Sequence, residues 1–150
     1  MQRQVGGVAI AGLSEPAREV GGDYYDHVVL PDGRVALVIA DVSGKGVPAA
    51  LLMSAFRASL LGQLEGSTDP AVVLGRLNRF LYRSIEPGRF VTAFLAVLDP
   101  ASGRFEYCNA GHNPPYVVAP DGTATTLETG GLLCGMLEDG AYERGEALKK

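Results

Sequence analysis

The sequence has no tryptophan, only two cysteines and two histidines, and nowhere the run of about 18 uninterrupted apolar residues that a membrane-spanning helix needs. Cys108 and Cys134 stand too far apart to chelate a metal as a local pair, and two thiols do not make a disulfide framework, so reduced, buried side chains are expected. The amino end has no basic start followed by an apolar stretch, so neither a signal peptide nor a membrane span is supported, and the cytoplasm is the expected compartment. Basic residues are the minority, 13 Lys and Arg against 17 Asp and Glu for a net charge of −4, which excludes a general nucleic-acid partner. Repeats, linkers and low-complexity segments are also missing. What is present is an ordinary globular composition, 47% hydrophobic and 20% charged over 150 residues, which fits one domain over residues 1–150 with a substantial core.

The organising stretch runs from Glu19 and Val20 to Val47. Its apolar run Val35-Ala36-Leu37-Val38-Ile39-Ala40 is β-branched, too short for a lone helix, and closed by Asp41 and the Gly44/Gly46 loop, so it reads as a buried strand. Tyr24 to Leu30 is a second strand-like run, and Pro31-Asp32-Gly33 between them is a turn. Pairing Leu30 with Arg34 across this three-residue loop brings Asp23 opposite Asp41 at the open end of the hairpin. Directly paired like charges are destabilising unless compensated. A hard divalent cation such as magnesium or manganese would compensate them, taking carboxylate, carbonyl and water oxygens. The alternative is that both aspartates cap surface turns, and a β-bulge would break the pairing.

Several motifs then agree in order. Gly21-Gly22-Asp23-Tyr24-Tyr25-Asp26, Asp41-Val42-Ser43-Gly44-Lys45-Gly46 running into Pro48 to Met53, Leu77-Asn78, Phe90-Val91-Thr92-Ala93, Asn109 to Pro115 and Gly131-Leu132-Leu133-Cys134-Gly135 resemble the PPM metal-dependent protein serine/threonine phosphatases, in the SpoIIE/RsbU-like bacterial branch. The resemblance covers nearly the whole chain. Gly-Gly-Asp also resembles the diguanylate cyclase signature, but that continues with Glu-Phe where this chain has Tyr24-Tyr25, and nothing later supports it.

After Gly46 the apolar period changes to that of a helix, with Pro48 in the first turn and Ala49, Leu52, Met53, Phe56, Leu60 and Leu64 on one face; Ala50, Leu51, Ala55 and Ala58 make the other faces apolar too, which predicts a deeply packed helix. A second helix starts at an Asp69 N-cap with Pro70 next, turns Val73, Leu74, Leu77, Leu81 and Ile85 inward, and carries Arg76, Arg79 and Arg83 as a basic stripe, either a solvated face or a contact for an acidic partner. Strands are expected at Phe90–Leu98, Arg104–Asn109, Tyr116–Ala119 and Ala124–Leu127, and Val8–Leu13 could add one beside the first hairpin. The order of elements predicts an α+β domain with helices against antiparallel sheets. The resemblance implies more: a β-sandwich flanked by helices, the four-layer αββα arrangement.

The resemblance also implies that Asp23 and Asp41 are ligands of a two-ion manganese or magnesium centre, with the backbone carbonyl of Val42 completing the set. Such a centre activates a water for attack on phosphorus, so neither Ser43 nor Cys108 need act as nucleophile. Asp26, three residues beyond Asp23, points to the opposite sheet face by alternation and would reach the site only through water. Lys45 is either a solvated side chain or a phosphate-steering charge, and His112 either a hydrogen-bonded turn residue or a ligand. His27 sits within a strand. A Ser-His-Asp triad is not supported, because the Gly-x-Ser-x-Gly elbow is absent.

The departure from the family lies at the carboxyl end, where the family continues into a Thr-Asp-Gly strand and a later aspartate that ligate metal, and where this sequence has neither. The expectation is therefore a chain cut before its last strands, with weak or no activity by itself and an open sheet edge that favours a homodimer. As an enzyme it would hydrolyse phosphoserine or phosphothreonine on a phosphorylated anti-sigma-factor antagonist, under an upstream sensor domain. The rival is a non-catalytic, partner-binding regulatory module of the same fold.

Overall fold

The computed structural model describes residues 2–15, 22–44 and 46–148. Lys45, Gly21 and most of the loop expected between Ser14 and Gly22 lie outside the described residues. Strands β3 (Asp23–Val29) and β4 (Val35–Val42) form the expected hairpin. Its loop closes as the turn tripeptide requires: the Leu30 amide donates to the Arg34 carbonyl (2.8 Å) and the Gly33 amide to the Leu30 carbonyl (2.9 Å).

Helices α1 (Val47–Gly66) and α2 (Pro70–Ser84) follow, and then β5 (Val91–Leu98) and β6 (Arg104–Ala110). Three short strands, β7 (Tyr116–Val118), β8 (Ala124–Thr126) and β9 (Gly130–Gly131), precede β10 (Gly145–Leu148). The main sheet has six strands in the order β10-β6-β5-β4-β3, with β9 parallel to β6 off that path. Central β5 is apolar on both faces because both are covered. On one face Val91, Ala93, Leu95 and Val97 join Ala36, Val38, Ala40 and Val42 of β4 against Phe56, Leu60, Leu74, Leu77 and Leu81 of the helices. On the other, Phe94, Ala96, Tyr107 and Leu127 form a smaller cluster with Phe105 and Val117.

Strands β1 (Gln2–Val5) and β2 (Val8–Ala11) correct the expectation for Val8–Leu13. They pair with each other, not with the hairpin. The ribbon lies over the face away from the helices, where a Cβ at Gly12 would meet the Tyr25 ring and Arg3 Nη1 is 3.3 Å from His27 Nε2. Helices thus occupy one side of the sheet and thin β ribbons the other, which is the α+β architecture expected.

Helix α2 begins as anticipated: Asp69 Oδ1 accepts from the amides of Ala71 (2.9 Å) and Val72 (3.4 Å). Helix α1 is less enclosed than its composition suggests. Ala49, Met53, Phe56, Leu60 and Leu64 are buried, but Leu52 is only half-buried and Leu51 is 66% exposed, because the sheet covers a single stripe of it. By length and composition α1 could also cross a membrane. Here its buried stripe packs on the sheet.

Candidate metal centre

Asp23 and Asp41 are direct partners in the β3–β4 register. The hydrogen bonds of this hairpin fall on even-numbered pairs: Leu30 with Arg34, and at the other end the Val42 amide donating to the Gly22 carbonyl at 3.1 Å. Asp23 and Asp41 are therefore a non-hydrogen-bonded pair, the closer type, with Cα atoms about 4.5 Å apart and side chains on one face. Gly22 makes this end possible. A Cβ there would lie 2.7 Å from the Val42 carbonyl oxygen and 2.9 Å from the Val42 Cβ, so a larger residue would push β3 off β4.

The electrostatics follow from that proximity. Loss of water at the strand end, the Asp23 charge and a hydrogen bond shared with Asp23 all raise the Asp41 carboxyl above its ordinary pKa, with His112 acting weakly in the other direction. Two carboxylates facing each other without a compensating cation make an oxygen-rich donor set suited to a hard divalent ion. Among the described residues no cluster of three or more His, Cys, Asp or Glu side chains gathers here, so the side-chain donors are these two, with the neighbouring Val42 carbonyl as a backbone donor.

Asp26 does not join them. It projects to the helix side, where its carboxylate accepts from Tyr24 Oη (2.8 Å), the His27 amide (2.8 Å) and Arg57 Nε (3.3 Å). Burial works against ionisation there, but those donors outweigh it and hold its pKa below the ordinary value. Strand alternation separates it from the pair, and its lone pairs are already engaged. Ser43 and Cys108 are likewise occupied or inert. Ser43 Oγ accepts from the Phe90 amide at 2.9 Å, and burial raises the Cys108 thiol to about 12.

Thr92, not expected at the site, and His112, expected as a turn residue or a ligand, come together beside Asp41. The β4–β5 register puts Thr92 opposite Asp41, and Thr92 Oγ1 lies 3.0 Å from His112 Nδ1. His112 is a hydrogen-bonded turn residue, its amide donating to Asn109 Oδ1 at 2.8 Å; burial lowers its pKa, and the charges of Asp41 and Asp23 pull it weakly upward. Thr92 stands in the Phe90-Val91-Thr92-Ala93 motif, and its alternation along β5 fixes a face but not a partner. The arginine stripe, by contrast, is largely neutralised within the chain: Arg83 Nε meets Glu138 Oε1 at 2.7 Å and Arg79 Nη2 meets Asp139 Oδ1 at 3.8 Å.

Against this geometry, the family model described as Stage II sporulation protein E (SpoIIE) matches residues 31–147. The chain belongs to the SpoIIE family. The matched segment contains Asp41, Thr92 and His112, and Asp23 lies just before it. A curated relative, the phosphoserine phosphatase RsbU of Bacillus subtilis (strain 168), is 37% identical over 136 residues, which take in 90% of this chain and 40% of RsbU. The solved RsbU and RsbW domains of Rv1364c from Mycobacterium tuberculosis align with a TM-score of 0.75 at 32% identity, over 91% of this chain and 38% of that one. The PP2C phosphatase domain with a regulatory-domain fragment of SpoIIE from Bacillus subtilis aligns with a TM-score of 0.74 over 100% of this chain and 41% of that one, a likeness of fold at 21% identity. The chain thus spans less than half the length of these relatives, and its α+β architecture is that of PP2C-type domains.

Proposed function

We propose that this chain carries part of the metal-binding half of a protein serine/threonine phosphatase. The observation that carries the reading is the Asp23–Asp41 pair, two carboxylates in direct cross-strand register. Asp23 and Asp41 would hold manganese or magnesium, with the Val42 carbonyl beside them. When bound, such an ion lowers the pKa of a coordinated water and stabilises charge on phosphoryl oxygens. The chain's own residues do the rest: the β3–β4 hairpin orients the two carboxylates, Gly22 keeps the strand end closed, and Ser43 ties the Asp41 loop to β5 through the Phe90 amide. Ser43 and Cys108 are occupied or inert, which favours hydrolysis by water.

The substrate class proposed is a phosphorylated serine or threonine on a cytoplasmic anti-sigma-factor antagonist, under control of a sensor domain. Two relatives from Bacillus subtilis, the phosphoserine phosphatases RsbU and RsbP, and the RsbW domain beside the RsbU domain in the Rv1364c structure support that choice. The rival, a partner-binding module without catalysis, draws on the exposed Val47 and Leu51 of α1 more than on the arginine stripe, of which Arg79 and Arg83 already meet Asp139 and Glu138.

The test is manganese titration calorimetry together with phosphate release from a phosphoserine peptide, for the chain and for Asp23→Asn and Asp41→Asn. Manganese should bind weakly, through few protein ligands, and any release should depend on it and fall at least about a hundredfold in either variant. Absence of both manganese binding and metal-dependent release would overturn the phosphatase reading in favour of the module.

A further inference from the structure

The loop that follows Asp41 runs into a preformed groove. Ser43 is bonded twice to Phe90, its amide donating to the Phe90 carbonyl (3.0 Å) and its Oγ accepting the Phe90 amide (2.9 Å). From Phe90 a groove of about 510 Å³ extends between the C-terminal end of α2 and the 135–136 segment, with Tyr82, Ile85, Arg89, Gly135 and Met136 in its walls. Ligand clefts typically measure about 300–1,000 Å³.

The walls are held from behind. The Gly135 amide donates to Asn78 Oδ1 (2.9 Å), Cys134 exchanges both backbone hydrogen bonds with Val91 (2.8 and 3.0 Å), and the Ile85 amide donates to the Leu81 carbonyl (2.9 Å). A Cβ on Gly135 would lie 2.6 Å from Ile85 Cδ1, so only glycine lets the two walls approach this closely. Tyr82 and Met136 nevertheless stay 44% and 56% exposed, an apolar surface that is fixed in place without being covered.

The end of the groove nearest Asp41 indicates its occupant. Arg89 Nη1 lies 3.3 Å from the position a Gly44 Cβ would take, and Arg89 Nε meets Glu86 Oε2 at 3.4 Å, with the Glu86 side chain 83% exposed. An exposed pair of this kind contributes little, so the guanidinium is free to offer its Nη donors to an incoming anion. Ser43 is two residues from Asp41, at most about 7 Å of extended chain. An extended peptide rises about 3.3 Å per residue. A polypeptide whose anionic residue sits at the Asp23–Asp41 pair therefore passes Arg89 and lays a side chain two to four residues away over Tyr82, Ile85 and Met136. A small phosphomonoester has neither the length nor the apolar group to use this surface.

We propose that the groove docks the polypeptide substrate: Tyr82, Ile85 and Met136 seat an apolar side chain two to four residues from the phosphorylated serine or threonine, and Arg89 pairs with an anionic oxygen of that residue. The inference rests on the phosphatase reading for the identity of the anion. It adds a sequence preference that the metal-holding aspartates cannot supply.

The test is fluorescence anisotropy with the 150-residue chain in excess manganese. The probes are labelled alanine-glycine peptides that carry phosphonomethylalanine, a phosphoserine mimic resistant to hydrolysis, and a single leucine moved along either side of it. A leucine two to four residues away on one side should tighten binding by about tenfold or more over the leucine-free peptide, from the apolar surface it buries. Met136→Ser should remove most of that gain and Met136→Leu should keep it. Arg89→Gln should weaken binding of the mimic severalfold and leave a peptide with alanine in place of the mimic unchanged. No gain at any leucine position, a gain that survives Met136→Ser, or an Arg89→Gln loss shared by the alanine peptide would overturn the proposal. So would a lower mass of Met136→Ser in light scattering with peptide affinity unaltered, which would give the groove to a second copy of the chain. Leucine-dependent binding by a chain that releases no phosphate from the phosphoserine counterpart keeps the groove and removes the phosphatase reading; manganese-dependent release with binding indifferent to leucine does the reverse.

Discussion

Replacing Asn78 should destabilise the chain more than any helix-surface change. Asn78 lies in the buried face of α2 at 1% exposure, among Leu74, Leu77 and Leu81. Its Nδ2 donates to the carbonyls of Leu137 (2.7 Å) and Glu138 (3.2 Å), and its Oδ1 accepts the Gly135 amide (2.9 Å). One side chain thus satisfies three backbone groups of the 135–138 segment. At a net of about 0.5–1.5 kcal/mol each, the three bonds are worth about 1.5–4.5 kcal/mol, and leaving the buried partners unmet moves the loss toward the upper end. Asn78→Ala should therefore lower unfolding free energy by about 3–4 kcal/mol in urea denaturation. Asn78→Leu separates the causes, because it restores the volume and none of the hydrogen bonds. If bonding dominates, the leucine variant stays within about 1 kcal/mol of the alanine variant; a leucine variant as stable as the parent would refute the argument and make the site one of packing. Hydrogen exchange at Gly135 should accelerate in both variants, since its amide loses its acceptor.

Three further outcomes follow from the same structure. The Asp41 pKa is raised in the folded state, so the folded chain binds more protons than the unfolded one and metal-free stability should fall as pH rises from below Asp41's ordinary pKa through its raised folded value; Asp41→Asn should flatten that fall in urea titrations while weakening manganese binding, and an unchanged pH profile in the variant would clear Asp41 of strain. Phe56, fully buried and edge-on to Tyr24 at 6.1 Å between ring centroids, should lose about 3–5 kcal/mol on truncation to Ala, and a loss under about 1 kcal/mol would contradict its place in the core. Strands β3 and β10 end the main sheet, so their outer edges lack ladder partners among the described residues, and light scattering should show a homodimer growing with concentration; a mass fixed at one chain would sink the edge argument.

The sequence disclosed what is encoded locally. The β3–β4 register was legible because a three-residue turn joins the strands and fixes which side chains face each other, and that register alone brings Asp23 to Asp41. The caps and inward faces of α2 were legible for the same reason, since capping and helical period are short-range. Contacts between distant segments were not. Arg83 reads as solvated until Glu138, 55 residues away, is folded against it. Asn78 interrupts an apolar face and reads as a helix edge until residues 135–138 arrive to use its carboxamide. The β1–β2 ribbon does have a local signal, the Gly6-Gly7 pair, both at positive φ, which closes a tight hairpin and leaves β2 no need of β3 as a partner.

The candidate site combines both kinds of information, and the two should fail differently. The carboxylate pair depends on the Pro31-Asp32-Gly33 turn, because side chains alternate with a period of two and a one-residue slip sends a whole strand's set to the opposite face. Deleting one residue of that turn would move Asp23 to the helix side, where Asp26 now meets Arg57, and dismantle the pair even with every aspartate still present. The Thr92–His112 contact depends instead on β5, whose pairing with β4 is fixed by the shared core of Val91, Ala93, Leu95 and Val97 with the helices. A core substitution that loosens β5 would release His112 from Asp41 and leave the hairpin register intact. The carboxylate pair and the Thr92–His112 contact are therefore separable by mutation, the first failing with the local turn and the second with the distant packing.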